Sequence, residues 1–359
     1  MKIYGIFRGF PGLGRVVSGV SILKRLEKEG YEIKAYTYLQ GLELLRHYEI
    51  PLIIEEQPVH PHIMVIGLNP ISKEGGILIE RVVKDNPDLV VIDGEPLLTS
   101  TLSYVYPKER IISLLNPADI INKSLPLSSQ LFYRYHYLAV GTSIIHGLTV
   151  GNYNEIGKLY NCNIFSINTI LRNEIINLKN NIEPKYMVGI IGGGCSNCSK
   201  NFFDSSKRMI NKIIKIAKEL PDEQFKIYCN DKLLSENLEE INNIEIFKEF
   251  ISPIEIYKNA KIVICRAGRN TLSEISFLGI PTLLFAANDE FRTAEQNKNI
   301  IDVKKYFNEV DSISLDESEV AICQKIKNLL GKKNIKSTFV PGNEIVIDEI
   351  NILMEKYCG

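Results

Sequence analysis

The stretch KIVICRAGRNTLSEISFLGIPTLLFA, Lys261 to Ala286, decides the fold. Ile262–Cys265 is a short apolar run that predicts a buried strand, and Arg266 to Asn270 form a polar turn. Thr271 and Glu274 have the spacing of a capping box, with Thr271 at the N-cap. A helix then follows until Gly279, and Thr282–Phe285 predicts a second strand. This order of strand, turn, helix and strand predicts a βαβ unit of a parallel sheet, and hence an α/β protein.

The turn before this helix has two interpretations, which the residues alone leave open. The free N–H groups and positive dipole end of a helix N-terminus suit a phosphate. Alternatively, the helix is only a well-capped crossover, with Glu274 fully used by the N-cap amide.

The same stretch resembles the signature of the MurG-like glycosyltransferases with the GT-B fold, a strand followed by GGxxTxxE and a helix that ends in Gly-Pro. The resemblance implies that the turn holds a nucleotide diphosphate, most simply UDP, and that Glu274 hydrogen-bonds the ribose hydroxyls. The matching positions are Gly268, Asn270, Thr271 and Glu274, whereas Ala267 stands in place of the first glycine.

Length and composition describe a globular protein of two domains. The chain has 359 residues, 45% of them hydrophobic and 24% charged, with a net charge of −1, which gives no broad attraction to nucleic acid. No apolar run reaches the ~18 residues of a membrane span, and the N-terminus lacks signal-peptide features. We therefore expect a cytoplasmic protein, with an additional expectation of peripheral contact with the inner membrane face. The seven cysteines are expected to be reduced thiols, and the lone Cys195–Cys198 pair does not make a metal site.

A second strand, glycine turn and helix opens the chain. Gly12 and Gly14 lie in the turn, but the third position of a dinucleotide fingerprint is Val17, so NAD binding is not predicted. The segment resembles the family's GxGHxxR loop on the acceptor side, with Arg15 in place of the histidine. Arg15 cannot be a base at neutral pH, but it could hold an anionic substrate.

A buried strand that ends in Asp93, Gly94 and Glu95 is the source of the predicted catalytic carboxylates. The carboxyl end of a parallel strand faces the ligand crevice in an open α/β sheet. Asp93 or Glu95 is therefore our candidate base, because an inverting sugar transfer needs a group that takes the acceptor proton. A capping role for Asp93 at the next helix is the alternative. Three interpretations are open for the aromatic stretch Leu127–Tyr137: it lines an acceptor groove, it touches a lipid surface, or it packs in the core.

Further donor-site residues come from the resemblance. It places a glycine loop beside the diphosphate, a short loop against the base, and a polar run against the donor sugar. The corresponding residues are Gly192, Gly193 and Gly194, then Phe250 and Ile251, then Glu295, Gln296 and Asn299. Neither a metal nor a bound cofactor is predicted, because helix dipoles and backbone amides can stabilise the leaving diphosphate.

The resemblance implies two Rossmann-like domains that face each other across a cleft. We expect an acceptor domain over residues 1–172, a linker over 173–185, a nucleotide-sugar domain over 186–340, and a terminal helix over 341–359 that crosses back. The expected reaction moves a hexose or N-acetylhexosamine from a UDP-sugar to a small-molecule, lipid-linked or glycan acceptor. Hydrolysis of the nucleotide-sugar and binding without turnover are the alternatives.

Overall fold

A computed structural model describes residues 1–10, 12–58, 67–179, 181–191, 200–229, 231–236, 238–239, 241–249, 251–285, 293–331 and 337–358. The chain divides into two compact units, which are Met1–Arg172 with Pro341–Gly359, and Asn173–Val340. Residues 173–185, predicted as a linker, thus belong to the second unit and begin with a helix, Asn173–Leu178.

The first unit is built on a parallel sheet of six strands in the order β2-β1-β3-β4-β5-β6. Its strands are β1 Lys2–Phe7, β2 Glu32–Tyr36, β3 Leu89–Asp93, β4 Ile111–Leu115, β5 Thr142–Gly147 and β6 Asn163–Asn168. The continuous apolar run of β3 is buried along its whole length, as expected for a strand with helices on both faces. Val90 and Ile92 pack into the core on one face, and Leu89 and Val91 into the core on the other.

Helices connect these strands. They are α1 Gly14–Lys28, α2 Gln40–His47, α3 Lys73–Asp85, α4 Pro96–Val105, α5 Pro117–Ile120, α6 Leu127–Tyr137 and α7 Asn154–Tyr160, with a short 3₁₀ turn at Lys108–Arg110. After α2, Leu52 makes one parallel bridge with Ala35. The bridge lies beside β2, where the third strand of a Rossmann sheet would be.

The second unit repeats the design with the strand order β12-β11-β10-β7-β8-β9. Its strands are β7 Tyr186–Ile190, β8 Phe225–Tyr228, β9 Ile244–Phe247, β10 Ala260–Arg266, β11 Thr282–Phe285 and β12 Val310–Ile313. Its helices are α8 Asn173–Leu178, α9 Lys200–Glu219, α10 Lys232–Ser235, α11 Pro253–Tyr257, α12 Arg269–Leu278, α13 Thr293–Val303 and α14 Glu319–Leu330. Read from β9, the order is the 3-2-1-4-5-6 of a doubly wound sheet.

The terminal helix α15, Asn343–Cys358, is part of the first unit. Val346, Ile347 and Ile350 are buried in the core that also contains residues of α1. Asn343 fixes the start of the helix, because its side chain accepts from the Leu171 N–H at 2.8 Å and donates to the Leu171 carbonyl at 2.8 Å. Among the described residues, no helix has the length and apolar character needed to cross a bilayer.

Candidate functional site

An arginine and two carboxylates meet where the first sheet reverses its strand order, between β1 and β3. Arg15, in the first turn of α1, contacts Asp93 at the end of β3 through Nη1. Its Nη2 donates to both oxygens of Asp119, at 2.8 and 3.0 Å. Arg15 therefore does not offer a free guanidinium to an anionic substrate, as the sequence had suggested it could, because two carboxylates already occupy it.

Asp93 is the buried member of this cluster. It is fully buried, and its Oδ2 lies 3.9 Å from Nε2 of His146 on β5. Nδ1 of His146 accepts from the Ile170 N–H at 3.5 Å, so the neutral ring carries its proton on Nε2, the nitrogen on the Asp93 side. Burial alone would raise the pKa of Asp93, but Arg15 and His146 outweigh it and lower that pKa. Asp93 is thus an anion at neutral pH.

Burial and the neighbouring charges also have opposite effects on the pKa of Arg15. Burial would lower the pKa of its guanidinium, but the charges of Asp119 and Asp93 raise it well above its ordinary value. The alternative that Asp93 caps a helix is wrong, because the N-cap of α4 is Glu95 and even its side chain makes no capping bond.

Glu95 has a different environment from Asp93. Its Oε1 accepts from the Tyr38 hydroxyl at 2.6 Å, and its Oε2 accepts from the backbone N–H of Leu68. Only 1% of Glu95 is exposed, and burial raises its pKa to about 7, against the opposing effect of Arg8. The two predicted carboxylates therefore differ in charge state near neutral pH.

The glycines at this edge of the sheet occupy their positions for different structural reasons. Gly14 is the first residue of α1, and Gly12 lies two residues earlier with open space around its Cβ position among the described residues. Gly94 has φ of +87°, and a Cβ there would collide with the side chains of Arg15 and Arg8. Gly94 thus lets Asp93 and Glu95 follow each other around the tight turn after β3.

In the second unit, the predicted helix start is displaced by most of a turn. Helix α12 begins at Arg269 with Gly268 as N-cap, so Thr271 is its third residue and the predicted capping box is wrong. Asn270 and Thr271 lie in the first turn, where N–H groups have no intrahelical acceptor. Gly279 ends the helix with φ of +72°, the left-handed conformation that its position predicted.

Glu274 is therefore not a cap residue. It is buried in the second turn of α12, and its Oε2 accepts from the Tyr257 hydroxyl at 3.0 Å. The alternative in which the N-cap amide uses up Glu274 is excluded, because Glu274 lies six residues after Gly268. Tyr257, at the end of α11, is the partner that orients it.

Arg266 is a buried cation at the carboxyl end of β10. Its Nη2 donates to the hydroxyls of Ser205 at 3.1 Å and Ser206 at 2.7 Å, both in α9. Its guanidinium also lies 3.9 Å from the ring centroid of Phe202. The hydroxyls and the ring are neutral groups that solvate the guanidinium. Arg269, at the first position of α12, is a second largely buried arginine.

The remaining donor-site predictions are partly described. Ala267 is buried, and its carbonyl accepts from Asn299 of α13 at 3.0 Å. Gln296 is buried on the same helix, Glu295 is exposed, and Ile251 is half-buried. The predicted residues Gly192, Gly193, Gly194, Cys195, Cys198 and Phe250, and the run 286–292, lie outside the described residues.

The aromatic stretch predicted near the acceptor forms helix α6 and exposes much of its surface. Leu131, Phe132 and Tyr135 are exposed, and the Tyr135 hydroxyl lies 3.4 Å from that of Tyr104 on α4. Tyr104 is 77% exposed. Packing in the core, the commoner outcome for such residues, accounts for Tyr137 at the end of the helix and for the half-buried Tyr133, which packs against the same core.

Sequence reasoning missed several residues of both sites. Asp119 follows β4 in an Asn-Pro-Ala-Asp segment, where its Oδ2 accepts from the Asn116 N–H at 2.8 Å. A capping-type spacing after a predicted strand was the available signal. For His146, Tyr38, Tyr257 and the buried role of Arg266, the signal is only their position near the ends of strands or helices.

Most of the second unit matches a known family. Residues 198–337 match the model of the glycosyltransferase family 28 C-terminal domain. No curated protein matches the sequence significantly.

Solved structures resemble the whole chain. MurG from Acinetobacter baumannii is 14% identical with a TM-score of 0.56, and the alignment covers 98% of this chain and 100% of that one. A putative UDP-N-acetylglucosamine 2-epimerase from Listeria monocytogenes is 12% identical with a TM-score of 0.66, over 99% and 96%. The UDP-GlcNAc 2-epimerase from Methanocaldococcus jannaschii, in complex with UDP-GlcNAc and UDP, is 15% identical with a TM-score of 0.60, over 99% and 100%.

At these identities the structural resemblance establishes the fold, which is that of two Rossmann-like domains, as the sequence predicted. The family match lies in the second unit, and it includes Gly268, Glu274 and the whole of α12. The chain therefore carries a glycosyltransferase family 28 C-terminal domain and has the GT-B fold of a MurG-like glycosyltransferase.

Proposed function

We propose that this protein transfers a hexose or N-acetylhexosamine from a UDP-sugar to an acceptor bound at the first unit. The match of residues 198–337 to the family 28 C-terminal domain carries the proposal. The complex of the Methanocaldococcus jannaschii epimerase with UDP-GlcNAc and UDP supports a uridine nucleotide, because that protein shares the fold.

The donor would bind at the start of α12. The turn Ala267–Gly268 and the first N–H groups of the helix would meet the diphosphate, and Arg266 adds a buried positive charge at the same strand end. Glu274, held by Tyr257, would accept from a ribose hydroxyl. This environment can stabilise the charge that develops on the leaving diphosphate, so our proposal includes no metal.

The acceptor proton would go to the carboxylates held by Arg15. Asp119 is the accessible one, since its side chain is 15% exposed whereas Asp93 is fully buried. We therefore propose that Asp119 meets the acceptor hydroxyl and that Asp93 fixes Arg15 behind it. The sequence-based assignment of the base to Asp93 or Glu95 stays a prediction beside this one.

Substitution of the two aspartates tests this arrangement. Asp119→Asn should lower the turnover by about 10²–10⁴-fold, the contribution of a general base, and leave the affinity for UDP unchanged. Asp316→Asn is the matched control, because Asp316 pairs with Arg208 at 2.5 Å on the surface of the second unit. Full activity of Asp119→Asn would remove Asp119 from the mechanism.

The reaction itself is tested with the full chain and a panel of nucleotide-sugars. We expect UDP and UDP-sugars to raise the melting temperature, and UDP to be released only when an acceptor fraction from cell extract is added. Free sugar released without acceptor would show a hydrolase, and a changed sugar on UDP an epimerase. Binding without any product would show a non-catalytic subunit, and no binding would contradict the whole proposal.

A lipid-linked acceptor would explain the exposed face of α4 and α6 formed by Tyr104, Leu131, Phe132 and Tyr135. We propose that this aromatic face contacts a membrane surface, where the Leu and Phe side chains lie against apolar lipid and the tyrosine hydroxyls stay in contact with water. Leu131→Ser with Phe132→Ser should reduce sedimentation with phosphatidylglycerol vesicles. Val320→Ser, at a residue of the second unit that is 72% exposed, should not. Equal sedimentation of both variants would contradict the contact.

A further inference from the structure

The side chain of Glu95 joins three separate stretches of the first unit. Tyr38, just after β2, donates to Oε1 at 2.6 Å, and Leu68, in the segment that enters α3, donates its backbone N–H to Oε2. Glu95 itself follows β3. One buried carboxylate thus connects two strand exits with the approach to α3.

The segment around Leu68 is shaped to meet this carboxylate. Gly67 has φ of +91°, and a Cβ at Gly67 would collide with Oε2 of Glu95. Leu68 is 1% exposed and belongs to the same core as Tyr38. Four residues after Leu68, Ser72 caps α3 by accepting from the Gly75 N–H at 3.1 Å. The backbone therefore approaches Glu95 so closely that only glycine fits.

We propose that Glu95 is a positioning residue, whose carboxyl group fixes the Gly67–Leu68 turn and the exit of β2 beside the Arg15 cluster. The role rests on the proposed function in so far as this edge binds the acceptor. Both oxygens of Glu95 already accept hydrogen bonds from the protein, and the side chain has no surface at which a hydroxyl could reach it. Both oxygens of Asp119 accept hydrogen bonds as well, but its side chain is 15% exposed, and this exposure separates it from Glu95.

Several charged or titratable groups surround Glu95 and set its protonation. Arg8 and Arg15 face it as cations from the β1 exit and α1, and they favour the carboxylate. Tyr36, Tyr38 and Tyr137 also interact with it electrostatically. Burial outweighs these effects, so Glu95 is partly protonated at neutral pH, with a pKa of about 7. A neutral amide is therefore a close substitute for the native group.

The comparison of Glu95→Gln with Glu95→Ala tests the proposal. The amide of Gln can accept from the Leu68 N–H and donate to the Tyr38 oxygen, so Glu95→Gln should retain transfer activity within about threefold. Glu95→Ala should lose about 10²-fold, because a small displacement of substrate-positioning groups costs that much. UDP affinity should be unchanged in both variants. Equal, large losses in both would show that Glu95 acts as a base and would overturn the proposal.

A readout without substrate keeps the proposal testable if the transfer reaction is wrong. Hydrogen exchange at the Leu68 amide should be slow in the wild type and in Glu95→Gln, and at least tenfold faster in Glu95→Ala. Unchanged protection in Glu95→Ala would show that Glu95 does not hold this turn. Failure of the proposed function would instead appear as absent transfer in the wild type, with the exchange pattern intact.

The pH dependence of stability provides a second independent readout. The unfolded chain releases the Glu95 proton near 4.5 and the folded chain near 7. Between these values the folded state binds more protons, so stability falls as pH rises. The stability of the wild type relative to Glu95→Gln should therefore decrease from pH 4.5 to 7 and stay constant above. A flat difference would show that Glu95 is not buried as described.

Discussion

The two units place opposite charges at the same topological position. In the strand order 3-2-1-4-5-6 of a Rossmann sheet, the strand at position 4 runs beside the strand at position 1. Position 4 is occupied by β3 in the first unit and by β10 in the second. The last residue of β3 is Asp93, with Glu95 two residues on, whereas the last residue of β10 is Arg266, with Arg269 three residues on. One fold thus offers carboxylates at one switch point and guanidinium groups at the other.

The difference shows that two sheets with the same strand order can carry side chains of opposite charge at the same strand end. Ligands bind at such switch points because the helices on either side diverge there. An acidic edge can accept a proton, and a basic edge beside a helix N-terminus can hold a diphosphate. The first unit also neutralises its cation, since Arg15 contacts two carboxylates, while the partners described for Arg266 are two hydroxyls, a backbone carbonyl and a ring.

Substitution of Arg15 and of Arg266 should produce the largest difference in stability between the two units. Arg15→Met leaves the fully buried Asp93 without its cation, and we expect the free energy of unfolding to fall by about 3–5 kcal/mol. Arg266→Met breaks the hydrogen bonds to the Ser205 and Ser206 hydroxyls and retains packing against Phe202, so its cost should be about 1–2 kcal/mol. Urea denaturation of both variants measures the difference. Equal losses would contradict it.

A double substitution sharpens the same comparison. Arg15→Met combined with Asp93→Asn removes the unpaired charge, so the pair should cost less than the sum of the single changes. The coupling should be about 1–3 kcal/mol by denaturation of the four proteins in the cycle. Additive losses would show that Asp93 is stabilised by groups other than Arg15.

Glu274 tests the basic edge through its ligand. Glu274→Ala removes the carboxylate proposed for the ribose, and a hydrogen bond to a charged group is worth about 1.5–3 kcal/mol. We therefore expect the dissociation constant for UDP to rise about 10–100-fold by calorimetry.

Tyr257→Phe is the matched control for Glu274→Ala. It removes only the hydroxyl that donates to Glu274, at 3.0 Å, and keeps the carboxylate. Its effect on UDP affinity should be a few-fold. Unchanged UDP affinity in Glu274→Ala would assign Glu274 to the core instead of the nucleotide site.

The fold could be predicted because the strands and their turns are local signals. The buried run of β3, the strand pair β10 and β11, and Gly279 at the end of α12 all follow from neighbouring residues. The predicted start of α12 was wrong because Thr271 and Glu274 have the spacing of a capping box, although they lie inside the helix. Gly268 has open space around its Cβ position among the described residues, and the helix begins directly after it.

The site could be predicted only in part, because its contacts join residues far apart in the chain. Asp93 and Glu95 were found as the acids after a buried strand. The pairing of Asp93 with Arg15, and the contacts of Glu95 with Tyr38 and Leu68, depend on positions in the folded chain. Asp119 was missed because its partner Arg15 lies 104 residues away, and a single sequence does not report such a pair.

Asn299 gives the smallest effect and the finest distinction at the basic edge. Its side chain donates to the Ala267 carbonyl at 3.0 Å, which fixes the turn before α12 from helix α13. If Asn299 serves only this turn, Asn299→Ala should cost about 1 kcal/mol in stability, and UDP affinity should fall no more than threefold. Asn297→Ala, at an exposed position of the same helix, is the control and should change neither. A tenfold loss of affinity for a UDP-sugar but not for UDP would instead show that Asn299 contacts the donor sugar, as the family resemblance implies. Calorimetry with both ligands, beside thermal denaturation, therefore separates a residue that shapes the turn from one that touches the substrate.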